Sequence, residues 1–338
     1  MKNNIISKRK MFSAAGRAAG LAALAVIFAL SMTGCKSKKT KKITFALDWT
    51  PNTNHTGLYV ARDKGFFAEE GLEVEIVQPS EDGAEIMVAT GRAQFGVGFQ
   101  DSIAPALCQK DAIPLTAVAA LLQHNTSGLI SLKKAGIDRP RSLEGKKYAT
   151  WESPVELATV QKIMEKDGGD FSKLQLIPST VYDIVTALNT DIDCVWIYYA
   201  WDGIKMEIEG YETNYIDFGK IDPVFDYYTP IIISGTDFLK KDAATARAFL
   251  RALAKGYEWT VANPEEAAEI LCKAAPELDR NLVFASQKWI NDYYISDAKQ
   301  WGYIEAERWN RFFRWLNDTK LMPGQLQENT GFTNEYLK

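Results

Sequence analysis

The chain has 338 residues, 46% hydrophobic and 12% aromatic; after a short leader about 300 remain, room for two lobes of ordinary size. Its formal charge is −4, from 43 acidic and 39 basic side chains, with much of the basic excess near the N-terminus. The body is therefore acidic, which argues against nucleic acid as a partner, and four scattered cysteines and two histidines give neither a disulfide framework nor a metal-binding spacing.

Lys8-Arg9-Lys10 and Arg17 precede an apolar run over residues 18–32 that closes on Thr33-Gly34-Cys35. That charge, length and small-residue ending define a secretory signal. The Gly-Cys junction resembles a bacterial lipobox, although Met32 stands where Leu is usual. Residues 1–35 are then a lipoprotein signal with lipid on Cys35, and the lysine-rich residues 36–42 a solvated tether drawn to anionic lipid. An ordinary signal cleaved elsewhere is the alternative.

Ile43-Thr44-Phe45-Ala46-Leu47 alternates as a strand and runs into Asp48-Trp49-Thr50-Pro51-Asn52-Thr53-Asn54-His55-Thr56-Gly57-Leu58. Pro51 bars helix before it, while Asn54 or His55 followed by Thr56 can cap a helix over 57–64. Trp49, Asn52, Asn54 and His55 crowd a strand-to-helix loop, where α/β folds keep their ligands. Residues 72–77 alternate as a strand, 83–90 have helical spacing, and 94–99 read as a buried strand. The strand-helix-strand rhythm predicts parallel pairing. Gln100 and Asp101 then stand at a strand's carboxyl end before a helix over 102–109, on the ligand edge, with N-capping an equal reading for Asp101.

Further strands are expected over 115–122 and 128–132. Trp151-Glu152-Ser153-Pro154-Val155-Glu156 repeats the opening design of strand end, aromatic, polar group, proline and helix. The helix dipole accounts for one of Glu152 and Glu156 but not for Trp151. Residues 174–177 read as a short strand and 180–188 as a helix. The run from Asp193 to Gly203 is strand, loop and helix start, with Trp196, Tyr198, Tyr199 and Trp201 followed by Asp202. If Val195 and Ile197 share one strand face, Trp196 and Tyr198 occupy the other, and Tyr199 and Trp201 lie in the loop as ligand platforms. For Trp196, core packing is an equal reading. Residues 225–235, which include Tyr227, form the expected return strand; 237–257, 264–274, 282–289 and 306–316 read as amphipathic helices. Trp289, Tyr293, Tyr294, Trp301, Trp309 and Trp315 on or near them belong to core or interlobe packing.

The loop from Trp49 to His55 resembles the N-terminal loop of the pyrimidine-binding, thiamine-precursor lipoproteins of ABC importers. Gly65-Phe66-Phe67-Ala68-Glu69-Glu70-Gly71-Leu72-Glu73-Val74 resembles the G-[FY]-F-x-x-x-G-L-x-V signature of the wider superfamily, which includes binding proteins for nitrate and sulfonates. Ser142-Leu143-Glu144-Gly145-Lys146-Lys147 is similar to the S-L-x-G-K-K lead-in to their second lobe. The resemblance implies an α/β, type II periplasmic-binding-protein fold. Lobe I would be 43–131 and 232–338 and lobe II 132–231, joined by two crossing strands, the first near Ser131 to Lys134, with the ligand in the interlobe cleft. It further implies a monomer with a small-molecule pyrimidine ligand and no cofactor or metal. An ABC permease and its ATPase would be its partners, and the lipid on Cys35 would anchor it outside the cytoplasm.

The residues themselves agree with a flat, proton-donating ligand. Trp49, Trp151, Tyr199 and Trp201 stand beside Asp101, Glu152 and Asp202 with no Arg or Lys among them, whereas sulfonate, nitrate or phosphate wants cationic donors or bare helix N-termini. On closure, Trp49 and Tyr199 are expected to meet the two faces of the ring. The superfamily also holds the fungal enzyme that makes the thiamine pyrimidine, whose loop histidine matches His55. Its cysteine-rich block has no counterpart in Tyr227-Tyr228-Thr229-Pro230-Ile231-Ile232-Ile233-Ser234, and no GxSxG, HExxH or P-loop spacing appears, so a binder is expected. A site for another flat heterocycle such as riboflavin, a pyrimidine-synthase-like enzyme, and a tethered sensor docking on a receptor remain the alternatives.

Overall fold

The computed structural model describes residues 40–108, 113–179, 181 and 183–337. The expected signal peptide, Cys35 and most of the tether lie outside them, and no helix among the described residues is long and apolar enough to cross a membrane.

Ten strands are described: β1 (Lys41–Ala46), β2 (Leu72–Val77), β3 (Phe95–Gly98), β4 (Leu115–Ala120), β5 (Ser127–Leu132), β6 (Lys147–Thr150), β7 (Gln175–Pro178), β8 (Cys194–Tyr198), β9 (Thr213–Asp217) and β10 (Ile231–Gly235). They form two five-stranded sheets, ordered β2-β1-β3-β10-β4 and β7-β6-β8-β5-β9. β1 runs parallel to β2 and β3, and β6 parallel to β7 and β8, as the strand-helix-strand rhythm requires. β10 and β5 are the antiparallel members of their sheets. Edge strand β4 is covered by the C-terminal region: the Ala117 amide donates to the Gly331 carbonyl at 2.8 Å and that of Ala120 to Gly302 at 2.9 Å, which removes a free sheet edge.

Two expectations about the lobes need correction. The first crossing lies at residues 121–126, not at Ser131 to Lys134, because β5 pairs with β8 and β9 and so belongs wholly to lobe II. The return strand begins only at Ile231; Pro223–Phe225 is a 3-10 turn, and the residues between, with Tyr227, are the second crossing. Within the C-terminal portion assigned to lobe I, helix Arg280–Ile290 packs on the turn Thr53–His55 and also on Tyr199–Gly203 and Ile204–Ile208 of lobe II. The helix expected over 237–257 is two, Thr236–Lys241 and Ala243–Ala262, broken at Asp242, whose carboxylate caps the second through the Thr245 amide.

One buried cluster, with Phe45, Phe95, Phe249, Tyr257 and Trp301, fills lobe I. A second joins Ala46 and Val88 to Leu129, Tyr148, Trp196 and Phe218 of lobe II, and to Trp309, Phe312 and Trp315. Helices Thr56–Asp63 and Ala243–Ala262 meet glycine to glycine: a Cβ on Gly256 would stand 2.2 Å from the Gly57 carbonyl oxygen. This close approach seats Tyr257 under the loop that follows β1.

Candidate ligand-binding cleft

The loop after β1 is built by its own polar groups. Asn52 accepts from the Asn54 amide at 2.9 Å and donates from Nδ2 to the Thr50 carbonyl at 3.1 Å, so it caps the 3-10 turn Thr53–His55 two residues earlier than the sequence suggested. His55 is fully buried; its Nδ1 accepts from the Asn52 amide at 3.2 Å, which leaves the proton on Nε2 to donate to Asp48 at 2.7 Å. Asn52 and His55, both expected to meet ligand, are thus committed to the loop. The Tyr257 hydroxyl, donating to the Asn54 carbonyl at 2.7 Å, and the Tyr294 hydroxyl, donating to that of Thr53 at 2.6 Å, pin it from beneath. What it presents is Trp49, 54% exposed, the Asn54 Oδ1, buried without a partner among the described residues, and Asp48, which sequence reasoning missed. The signal was available: Asp48 follows its strand as Asp101 follows β3.

At the end of β3, Gln100 is also structural. Its Nε2 donates to the Trp309 carbonyl at 2.9 Å and its Oε1 accepts from the Tyr228 amide at 3.0 Å, tying β3 to the second crossing. Asp101 is different. Its Oδ1 is shielded from solvent with no hydrogen-bond partner among the described residues, and burial, with a smaller push from Glu85, raises its carboxyl to about 6 against the pull of its own and the Ser102 amides. From lobe II, the Tyr198 ring lies 6.3 Å from that of Phe99, and its hydroxyl is 3.3 Å from Thr229 Oγ1. Burial, then the charges of Asp101 and Asp48, push the Tyr198 hydroxyl above its usual range, and burial with Asp101 and Tyr198 does the same to Tyr227. Asp48, Asp101, Tyr198 and Tyr227 therefore share one seam, with the Tyr227 ring backed at 3.9 Å by Phe312.

The carboxyl ends of β6, β7 and β8 enclose a cavity of about 260 Å³ lined by Ala149, Trp151, Ser179, Val181, Ile184, Val195, Trp196, Ile197 and Asp202. Trp151, half exposed, stands edge-on to Trp196 with ring centroids 5.4 Å apart, and the other side of Trp196 lies 4.2 Å from Phe218. Trp196 is thus core on one side and cavity wall on the other. Glu152, next in sequence to the cavity-lining Trp151, is exposed with a left-handed backbone, φ 61°. Glu156 is buried as the capping-box partner of Ser153, accepting from the Ser153 amide at 3.2 Å and from Thr150 Oγ1 at 3.0 Å. Burial raises the Asp202 carboxyl to about 6, lowered somewhat by Lys205 and raised by Asp183. Lys205 is held elsewhere, its Nζ 2.7 Å from Asp183.

Two lobe II aromatics fall outside the cavity lining. The Tyr199 ring packs between Tyr215 at 4.5 Å and Trp289 at 5.3 Å, its hydroxyl bonded to Glu207, because the turn Tyr199–Gly203 is wound against helix Arg280–Ile290. Trp201 packs against the lobe I core cluster. Neither Trp49 nor Tyr199, the expected sandwich pair, lines this cavity, whose two indoles are Trp151 and Trp196. Among the described residues no three His, Cys, Asp or Glu side chains gather as a metal site.

Two lobes with mixed sheets, two crossings and site residues at the strands' carboxyl ends define a periplasmic-binding-protein fold. The periplasmic aliphatic sulphonate-binding protein of Escherichia coli shares it, with a TM-score of 0.67 over 88% of this chain and 99% of that one at 13% identity. The NMT1/THI5-like family model matches residues 52–267, and the chain belongs to that family. The chain is 27% identical over 308 residues to a formylaminopyrimidine-binding protein from Halalkalibacterium halodurans, covering 87% of this chain and 91% of that protein. It is 26% identical over 329 residues to a 4-amino-5-hydroxymethyl-2-methylpyrimidine phosphate synthase from Legionella pneumophila, covering 91% and 95%. Similar identity to a binder and to a synthase leaves the choice between them to the chemistry of the site.

Proposed function

We propose that this is the extracytoplasmic solute-binding lipoprotein of an ABC importer. It captures a thiamine pyrimidine precursor, of the formylaminopyrimidine or hydroxymethylpyrimidine type, and delivers it to a permease and its ATPase. The observation that carries this reading is the lobe II cavity with its two indole walls and Asp202, which is in no salt bridge among the described residues. At about 260 Å³ it lies just below the usual range of small-molecule pockets, roughly 300–1,000 Å³, and suits one ring with a short arm better than a fused flavin. Aromatic faces and the Asp202 carboxylate as acceptor match an aminopyrimidine and repel an anion. The likeness to the formylaminopyrimidine-binding protein supports the same ligand class, and the Gly34-Cys35 junction supports the lipid anchor. The commitment of both His55 ring nitrogens to the loop speaks against a synthase that works through this residue.

Calorimetric titration with 4-amino-5-hydroxymethyl-2-methylpyrimidine and its formylaminomethyl relative tests the reading. Saturable binding is expected, and Trp151→Ala should weaken it about 5- to 150-fold, since stacking one base-like ring contributes roughly 1–3 kcal/mol. Unchanged affinity would move the site away from the cavity. Incubation with pyridoxal phosphate and iron under air should give no hydroxymethylpyrimidine product; a His55-dependent product would make the protein a synthase instead.

A further inference from the structure

We infer that Glu156 is a positioning residue for ligand binding: its buried carboxylate holds the turn from Thr150 to Ser153 and so fixes the Trp151 indole at the cavity wall. This rests on the pyrimidine reading above, in which that indole meets the ring, and adds the group that sets where the indole stands. Trp151 is half exposed, and the ring contact it makes among the described residues is the edge-on one with Trp196, so little packing restrains it. The restraint comes through the backbone. Glu156, 2% exposed, accepts at Oε2 from the Thr150 hydroxyl at 3.0 Å and the Ser153 amide at 3.2 Å, and at Oε1 from the Tyr148 hydroxyl. The Trp151 amide is turned to the same carboxylate. The Thr150 hydroxyl, its proton directed to Glu156, accepts from the Glu152 amide at 2.9 Å.

One carboxylate thus gathers the successive amides of Trp151, Glu152 and Ser153, the middle one through Thr150. Consecutive amides converge on an anion in this way when a left-handed residue stands among them, which is the backbone Glu152 adopts at φ 61°. A capping box needs only the bond to the Ser153 amide; the bonds from Tyr148 and Thr150 go beyond it. Tyr148 is fully buried in β6, so the carboxylate is tied to the sheet as well as to its own helix. Lobe I repeats the arrangement, since Trp49, 54% exposed after β1, is followed by the capping box of Asn52 and His55. In each lobe an exposed indole stands on a turn that the next helix cap holds.

A double-mutant cycle read by calorimetric titration with 4-amino-5-hydroxymethyl-2-methylpyrimidine tests the role. Glu156→Ala is expected to weaken binding roughly tenfold, within the range that loss of the stacked indole itself costs, and by less than about twofold when Trp151 is already alanine. Glu156→Gln, which keeps the bulk and an acceptor oxygen, should recover most of the affinity. Thr150→Val removes the hydroxyl link at constant volume and should act in the same direction; it carries the test if thermal melts show Glu156→Ala unfolded. Labelling with 5-fluorotryptophan reads the indole without ligand: the Trp151 resonance, assigned by its loss in Trp151→Phe, should move in both variants. An unmoved Trp151 resonance, or equal losses of affinity with and without Trp151, overturns the inference and leaves the pyrimidine reading standing. Failure of the wild type to bind the pyrimidine overturns that reading and with it the ligand role of Glu156.

Discussion

Glu152 holds a left-handed backbone, φ 61°, directly after the cavity-lining Trp151, and its amide donates to Thr150 Oγ1 at 2.9 Å. Such a conformation costs a non-glycine residue about 1–2 kcal/mol and persists where the surroundings demand it. Glu152→Gly is therefore expected to stabilise the ligand-free protein by up to about 1 kcal/mol, since glycine's larger chain entropy offsets part of the relief. It should weaken pyrimidine binding at the same time. Denaturant unfolding with parallel titration checks both; an unchanged affinity would make the turn purely structural. Asp101 predicts the same trade through its charge. Its folded pKa, raised to about 6, lies above the usual aspartate value of 3.8, so the folded state binds the proton more tightly and its stability falls as pH rises between those values. Asp101→Asn, which cannot ionise, should raise the melting temperature of the empty protein at neutral pH, and the gain should fade as pH drops below about 6. That Trp151, Trp196 and Asp202 line the cavity and that Asp101 follows β3 was legible because strand ends are legible. The bonds of Asn52 and His55 within the loop were not legible, because only the folded loop shows the cap and the bond to Asp48.

Helix Arg280–Ile290 was readable from its 3.6-residue period, yet periodicity names a buried face and not what covers it. The structure gives the face two partners. Ser286 Oγ donates to the Ala200 carbonyl, and with its proton so directed it accepts from Thr53 Oγ1 at 2.6 Å. One buried hydroxyl thus joins the loop after β1 in lobe I to the lobe II turn that carries Asp202. Ser286→Ala would leave the Ala200 carbonyl and the Thr53 hydroxyl without their bonds, and a loss of about 1–3 kcal/mol in urea unfolding is expected, together with weaker ligand binding. A stability change below about 0.5 kcal/mol would show that neighbouring groups or water replace the bond. Strand β5 taught the same lesson as this helix. Its six residues are all buried, so no alternation marks its faces, and its existence was legible while its sheet was not. Gly128 held the missing clue: a Cβ there would stand 2.3 Å from the Ile216 carbonyl, so the residue admits β9 at close range and binds β5 to lobe II.

At the scale of the whole molecule the two lobes are joined through residues 121–126 and 226–230, and a charged cluster ties these crossings together. His124 Nδ1 lies 2.9 Å from Asp226 Oδ2, the Asn125 amide donates to Asp226 Oδ1 at 3.0 Å, and Asn125 Nδ2 donates to the Phe225 carbonyl at 2.8 Å. From the C-terminal region, Arg308 approaches Asp226 at 3.8 Å and donates to the Gln123 carbonyl, while Asp297 sits 3.3 Å from His124 Nε2. The hydrogen bond to Asp226 raises the His124 pKa above 6.5, against burial and the Arg308 charge, with Asp297 adding to the rise. Burial alone would lift Asp226, but the bond and charge of His124 and the charge of Arg308 hold it below its usual value. A histidine whose folded pKa exceeds the unfolded one contributes stability that is complete below the unfolded value and is lost as pH rises through the folded value. Melting temperatures of the wild type and His124→Asn, measured from mildly acidic to alkaline pH, should therefore differ most at the acidic end of the range in which Asp226 stays ionised. The difference should narrow as His124 deprotonates, because the variant lacks that titration. A pH-independent difference would mean that His124 is neutral throughout and that the crossings are held by Asn125 and Arg308 alone.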